Sequence, residues 1–200
     1  MAEVVSKEEF DKLVSFKGEV RGLVLKPPFE FILQEEGKEG LKKVEEIFAK
    51  FDHPVKLREI QMMSFYPSGL KAAVLVIINK LFGYDDKKFY ELGRFSARVP
   101  YFIRFLFTKF ISLERFRKES PGIWRKCFTF GDFEMAEADR GKRQVILRIK
   151  NFHFHPLECQ SLAGIFSSVF EMLLGKDRVT CEETKCVHRG DQYHEFLLNW

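Results

Sequence analysis

The sequence predicts an α+β domain in which helices pack against an antiparallel sheet. Apolar residues recur at helical spacing through the first half of the chain, and the second half changes to the order strand, strand, helix, strand, strand. The composition agrees, since 46% of the 200 residues are hydrophobic and 23 of them are phenylalanine. A chain of this length and composition can bury one sizeable core without disulfide bonds.

The N-terminal half is predicted to be mainly helical. Ser6 and Glu9 form a capping box at the start of a short helix. Apolar residues alternate after Gly18 until Pro27-Pro28 breaks the pattern. Helical spacing then returns, and the apolar run 70–82 predicts a buried helix, because it is too short for a membrane span of about 20 residues.

The C-terminal half is predicted to form the sheet and one long helix. Alternating apolar residues on both sides of Gly141 indicate an antiparallel hairpin, and Gly175 is a typical residue to end a helix. The predicted elements are a hairpin within 128–154, a helix over 155–174, and strands over 178–186 and 192–199.

Charge and the N-terminal residues restrict the classes of function. The formal net charge is +4, and basic residues alternate with acids, which does not favour nucleic-acid binding. The basic cluster within 104–118 is typical of a solvated face, and the alternative is that it guides an anionic head group or a membrane surface toward an apolar pocket. The first residues are charged where a secretory signal is apolar, so we expect a cytoplasmic protein with reduced cysteines.

The end of the chain has the spacing of a metal site. Cys186 and His194 are equidistant from Gly190, so a hairpin centred there places their side chains about 5 Å apart. Thiolate and imidazole are typical zinc ligands. A strand that returns across the preceding helix brings Cys186 level with Cys159, because both paths cover about 22 Å.

Strand alternation leaves the fourth ligand open. It places Glu182 on the same face as Cys186, and it places Cys181 and Glu183 on the other face. A β-bulge near the turn would reverse this assignment.

The segment from Cys159 to Phe196 resembles the C-terminal signature of 4-vinyl reductase-like domains. In that signature a cysteine-containing helix with an Ala-Gly step precedes the pattern E-x-x-C-x-x-x-G-D, and here His194 replaces the final cysteine. The resemblance implies a structural zinc site that fixes the terminal hairpin to the helix, with four protein ligands and no open position for water. The matching residues are Glu183, Cys186, Gly190, Asp191 and Phe196, and the implied ligands are Cys159, Glu183, Cys186 and His194.

The resemblance also implies a superfamily and a domain organisation. The superfamily includes haem nitric-oxide-binding domains and the TRAPP vesicle-tethering subunits, and its fold is an α+β ligand-binding fold that is often dimeric. Residues 1–60 are then an N-terminal helical and extended segment packed on a 4-vinyl reductase-like ligand-binding domain, residues 61–200. The implied partners are a small hydrophobic ligand, a second copy of the chain and a downstream signalling protein.

The excess of phenylalanine predicts an apolar cavity for that ligand. Phenylalanine has no polar group, and ligand cavities are lined mainly by apolar and aromatic side chains. The candidate lining residues are Phe105, Phe110, Trp124, Phe128, Phe130 and Phe166.

These observations together favour a sensor or binding module rather than an enzyme. The sequence has no nucleophile–base pair, phosphate-binding loop or open metal position. The alternatives are an accessory protein for tetrapyrrole reduction, against which the lack of a G-x-G-x-x-G fingerprint counts, and a ligand-free assembly scaffold. We expect zinc as the cofactor and not haem or a tetrapyrrole, since His153 and His155 are typical of surface or core histidines.

Overall fold

The computed structural model describes residues 4–107 and 112–200, and for residues 104–107 it describes the backbone alone. The described residues form eight α-helices, and most of them precede the large sheet. The helices are α1 (Lys7–Val14), α2 (Gly22–Glu35), α3 (Gly37–Lys50), α4 (Ser68–Phe82), α5 (Asp86–Arg98), α6 (Pro100–Phe107), α7 (Leu113–Cys127) and α8 (Leu157–Leu174).

The described strands form two antiparallel sheets. The small sheet pairs β1 with β2, and the large sheet has the strand order β3-β4-β6-β5. This mixture of helices and antiparallel sheet confirms the predicted α+β class. The strands are β1 (Glu19–Arg21), β2 (Phe65–Pro67), β3 (Asp132–Asp139), β4 (Gln144–Lys150), β5 (Thr180–Lys185) and β6 (His194–Asn199).

Two helices lie at the centre of the molecule. Every residue of α4 from Ser68 to Ile78 is buried. The longest described helix, α8, packs along α5, where a Cβ atom at Gly93 or Gly164 would collide with the backbone of the opposite helix. By length and composition α8 could cross a membrane, but 67% of it is buried inside the protein.

One hydrophobic core contains residues from both ends of the described chain. It extends from Val5 to Leu198 and includes side chains of α1, α2 and α3. The N-terminal 60 residues therefore contribute to the same core as the sheet, and a domain boundary at residue 60 stays a prediction.

Three prolines lie inside helices. Helix α2 contains Pro27-Pro28, and α7 contains Pro121. A proline in a helix removes one backbone hydrogen bond, and packing can outweigh that loss. Pro27 and Pro28 are buried in α2, which continues through both of them, so the interruption predicted at this point was wrong.

Candidate metal centre and ligand cavity

Four side chains with metal-ligand chemistry meet where α8 begins and the hairpin of β5 and β6 ends. Cys159, Glu183, Cys186 and His194 each offer one ligand atom, and these atoms all lie within 4.8 Å of one another. We call these residues the four-residue cluster. The structure thus brings together the four residues that the resemblance implied.

The distances within the four-residue cluster suit a tetrahedral ion. The sulfur atoms of Cys159 and Cys186 are 3.9 Å apart, and His194 Nδ1 lies 3.8 Å from Cys159 Sγ. Two sulfur ligands at about 2.3 Å from a tetrahedral ion are separated by about 3.7 Å. Small adjustments of the side chains are therefore sufficient to coordinate an ion.

The contacts of His194 favour a cation between its Nδ1 atom and Glu183. Its Nε2 lies 3.0 Å from the carbonyl oxygen of Phe152, which can only accept a hydrogen bond. Its Nδ1 lies 2.8 Å from Glu183 Oε1, and a neutral ring would there present a lone pair to a carboxylate. A proton or a metal ion between these two atoms removes the repulsion, and the backbone contact at Nε2 is typical of metal-binding histidines.

Burial and mutual contacts shift the pKa values of the residues in the four-residue cluster. Burial raises the pKa of Cys159, and the nearby Glu183 carboxylate raises it further. Burial also raises the pKa of Cys186. For Glu183, burial acts to raise the pKa, but the hydrogen bond and charge of His194 together with the contacts to Cys159 and Cys186 outweigh it and lower the pKa. Without a metal ion both thiols are therefore protonated at neutral pH.

A β-bulge in β5 explains why Glu183, and not Glu182, belongs to the four-residue cluster. Residues three apart on a regular strand face opposite sides, but the register shifts between Glu183 and Lys185, which pair with Phe196 and Glu195. Cys186 follows this shift and is buried in the four-residue cluster. The other two candidates for the fourth ligand, Glu182 and Cys181, lie outside the cluster, with Glu182 exposed.

The turn after Cys186 is held by the residues of the sequence signature. Asp191 Oδ2 accepts a hydrogen bond of 2.8 Å from the backbone N–H of Cys186. Gly190 has φ 94°, a left-handed conformation that favours glycine. Arg189 donates to the carbonyl oxygen of Glu183 at 3.0 Å. These contacts fix the two ends of the turn around the four-residue cluster.

An apolar cavity of about 90 Å³ lies beside α8. Its walls come from α2, α4, α5, α6, α7, β3 and α8, and most of the lining side chains are aliphatic or aromatic. Of the predicted lining residues, Trp124, Phe128 and Phe166 line it, whereas Phe130 does not and instead stacks on Phe152 at 5.2 Å. Phe110 and the side chain of Phe105 lie outside the described residues.

A buried ion pair borders this cavity, and sequence reasoning missed it. Lys71 on α4 lines the cavity and forms a salt bridge with Glu158 in the first turn of α8. Their side chains are 3% and 1% exposed. Burial raises the pKa of Glu158, and the Lys71 ammonium acts against this rise. The available signal was Lys71, a lysine near the start of the apolar run of α4.

The fold is similar to that of solved H-NOX structures. An H-NOX protein from S. oneidensis in its Fe(II)NO state has a TM-score of 0.66 and 10% identity, over 90% of this chain and 98% of that one. The Fe(II) unliganded H-NOX protein from K. algicida gives 0.61 and 12%, over 90% and 95%. An oxygen-binding H-NOX domain related to soluble guanylate cyclases, as its oxygen complex, gives 0.61 and 9%, over 89% and 92%. No protein-family model matches the sequence, and no curated protein matches it.

These similarities support the broad fold family that the sequence indicated and correct the cofactor expectation. The neighbours are haem domains, and a further similar structure, with a TM-score of 0.61 and 9% identity, concerns haem redox potential and porphyrin distortion. The expectation of zinc as the cofactor in place of haem is therefore wrong, since the neighbours point to haem. None of the similarities bears on the four-residue cluster.

The described cavity does not fit a haem as it stands. A cavity of about 150 Å³ holds benzene, a much smaller molecule than haem, and this cavity measures about 90 Å³. Haem iron is held in proteins by His, Cys, Met or Tyr side chains, and Cys127 is the one such residue among the described lining residues. Burial raises the pKa of Cys127 to about 12, so its thiol is neutral.

Proposed function

We propose that this chain is a small-molecule sensor module whose apolar cavity holds the ligand. The observation that carries the proposal is this cavity, bordered by α8 in a fold similar to H-NOX domains. Its lining gives affinity through removal of apolar ligand surface from water. A ligand there contacts α2, α7 and α8 at once, so binding changes the relative stability of helix arrangements that a signalling partner can recognise.

The four-residue cluster is proposed as a structural metal site in this module. Two thiolates, an imidazole and a carboxylate fill a tetrahedral shell and leave no position for substrate. The ion would join the start of α8 to the terminal hairpin. This arrangement also supports classifying the chain as 4-vinyl reductase-like, because the signature residues surround the four-residue cluster.

Metal analysis of the purified protein tests the metal site. We expect one divalent ion per chain, lost in Cys186→Ser and retained in Cys181→Ser, a matched control because Cys181 lies outside the four-residue cluster. Cobalt(II) added to the metal-free protein should give thiolate-to-metal charge-transfer absorption. Absence of a bound ion, or equal loss in both variants, would contradict the proposed site.

The pH dependence of metal binding gives a second test. Both thiols have raised pKa values in the metal-free protein and must release protons to bind an ion. Affinity should therefore fall by about tenfold per pH unit for each proton released as the pH decreases from neutral. Competition with a chelator at several pH values measures the slope, and a flat profile would exclude thiolate ligation.

Native mass spectrometry of the same sample tests the ligand site. We expect a small apolar adduct that is released on denaturation. A haem-dependent sensor is the second candidate, and the similarity to H-NOX domains over 90% of the chain favours it. Titration with haem distinguishes the two, because a stoichiometric Soret band that is altered in Cys127→Ala would favour haem and displace the first candidate.

A further inference from the structure

The walls of the cavity contain a few polar groups among apolar ones. Lys71 lines the cavity from α4, and Ser120 lines it from α7. Glu158 lies three and four residues before Ser161 and Leu162, which line the cavity on the same face of α8. Lys71 is therefore part of the cavity wall, and Glu158 lies next to it through the salt bridge.

The hydrogen-bonding capacity of these groups is incompletely used. An ammonium has three donors, and among the described residues Lys71 contacts Glu158 Oε1 and the ring of Phe128, whose centroid is 5.7 Å from Nζ. Glu158 Oε2 and Ser120 Oγ are buried and have no hydrogen-bond partner in the described part of the chain. Buried polar atoms normally have partners, so the unpaired Glu158 Oε2, on the carboxylate that Lys71 holds at the cavity wall, points to a missing group.

We propose that the cavity takes a small apolar molecule with a neutral hydroxyl group, which binds to Lys71 and Glu158. This inference rests on the proposed function and adds the ligand class. A hydroxyl accepts a hydrogen bond from Lys71 Nζ and donates one to Glu158 Oε2 at the same time. No net charge enters the cavity, because the pair already balances itself.

Other head groups fit these two residues less well. A carboxylate cannot donate to Glu158 and would add a second negative charge in a water-poor site. A ketone can accept from Lys71 but leaves Glu158 Oε2 unpaired. The volume of about 90 Å³ limits the apolar part to a short chain, since benzene occupies a cavity of about 150 Å³.

2-Propanol and acetone provide a matched pair of probes of similar size, and both are smaller than benzene. Their affinities for the full-length protein can be measured by calorimetry and by the fluorescence of Trp124, which lines the cavity. We expect 2-propanol to bind about tenfold more tightly or better, because hydrogen bonds to charged groups have this effect. Acetate should bind more weakly than either.

A double variant assigns the preference to the pair. In Lys71→Met with Glu158→Leu, acetone should bind more weakly than to the wild type because it loses the Lys71 donor, and the preference for the alcohol should disappear. Ser168→Ala is the control, because Ser168 Oγ is also buried and unpaired but does not line the cavity. That variant should keep the preference.

The outcomes separate the two levels of the proposal. Equal binding of both probes to the wild type overturns the hydroxyl inference and leaves the ligand cavity intact, and tighter binding of acetate overturns it in favour of an anionic ligand. If neither probe binds, the proposed function fails together with this inference. The comparison of probes on the wild type needs no variant, so a double variant that does not fold leaves the test intact.

Discussion

Removing one member of the buried ion pair should destabilise the protein strongly. Both side chains are almost fully buried, with exposures of 3% for Lys71 and 1% for Glu158. Lys71→Met roughly conserves volume, so the packing change contributes less than about 1.5 kcal/mol. The larger effect is a carboxyl group left without its partner, which costs about 3–5 kcal/mol. That loss is a large part of the about 5–15 kcal/mol that stabilises a typical domain.

Urea denaturation followed by circular dichroism measures this loss. With a slope of about 1–3 kcal/mol per molar urea, the midpoint of Lys71→Met should decrease by at least about 1 M. Adding Glu158→Leu should restore the free energy of unfolding to within about 1 kcal/mol of the wild type, because an apolar pair of similar volume can replace a buried ion pair. A double variant as unstable as the single variant would refute the reasoning, as would a single variant as stable as the wild type.

Other predictions concern packing and pH. Phe166→Ala should lower the free energy of unfolding by about 3–5 kcal/mol in chemical denaturation without changing metal content, and loss of the metal would contradict separate sites. Gly164→Ala should lower the melting temperature because the added methyl group meets the Tyr90 carbonyl. Gly122→Ala is the control and should not lower it, because the added methyl group faces open space. Equal effects of the two substitutions would argue against close packing of α5 and α8. Burial acts to raise the pKa of Glu171, but the hydrogen bonds and charge of Arg94, together with hydrogen bonds from Arg98 and the Val179 N–H, outweigh it and lower the pKa. The stability that Glu171 contributes is therefore complete above its unfolded pKa of 4.5 and is lost as the pH falls through its lower folded pKa, so in urea titrations Glu171→Gln should show a weaker decline in acid than the wild type.

The order of helices and strands could be predicted because each has local signals. Ser6 accepts a hydrogen bond from the Glu9 N–H at 3.2 Å, and Asp85 accepts one from the Lys88 N–H at 2.8 Å, as capping residues do. Gly175 ends α8 with φ 61°. These features depend on residues within one turn of each other, and the sequence contains them directly.

Features that depend on distant residues could not be predicted from the same signals. The register shift that turns Glu183 toward Cys186 depends on the pairing of β5 with β6, and strand alternation alone favoured Glu182. The contact between Lys71 and Glu158 joins residues 87 positions apart, and neither residue type in isolation indicates burial. A resemblance could indicate the first feature, whereas the second required the folded chain.

The cavity walls differ in stiffness. Helix α8 packs tightly against the backbone of α5 at Gly93 and Gly164. Its C-terminal turn is held by the bidentate pair of Glu171 with Arg94. Helix α2, which also lines the cavity, has two fewer backbone hydrogen bonds, because Pro27 and Pro28 have no N–H to donate to the carbonyls of the preceding turn. The cavity wall is therefore less rigid at α2, and at α7 with its Pro121, than at α8. Since the first turn of α2 is hydrogen-bonded to the carbonyls of Met62 and Ser64, strain from an enlarged cavity would reach the surface at that loop.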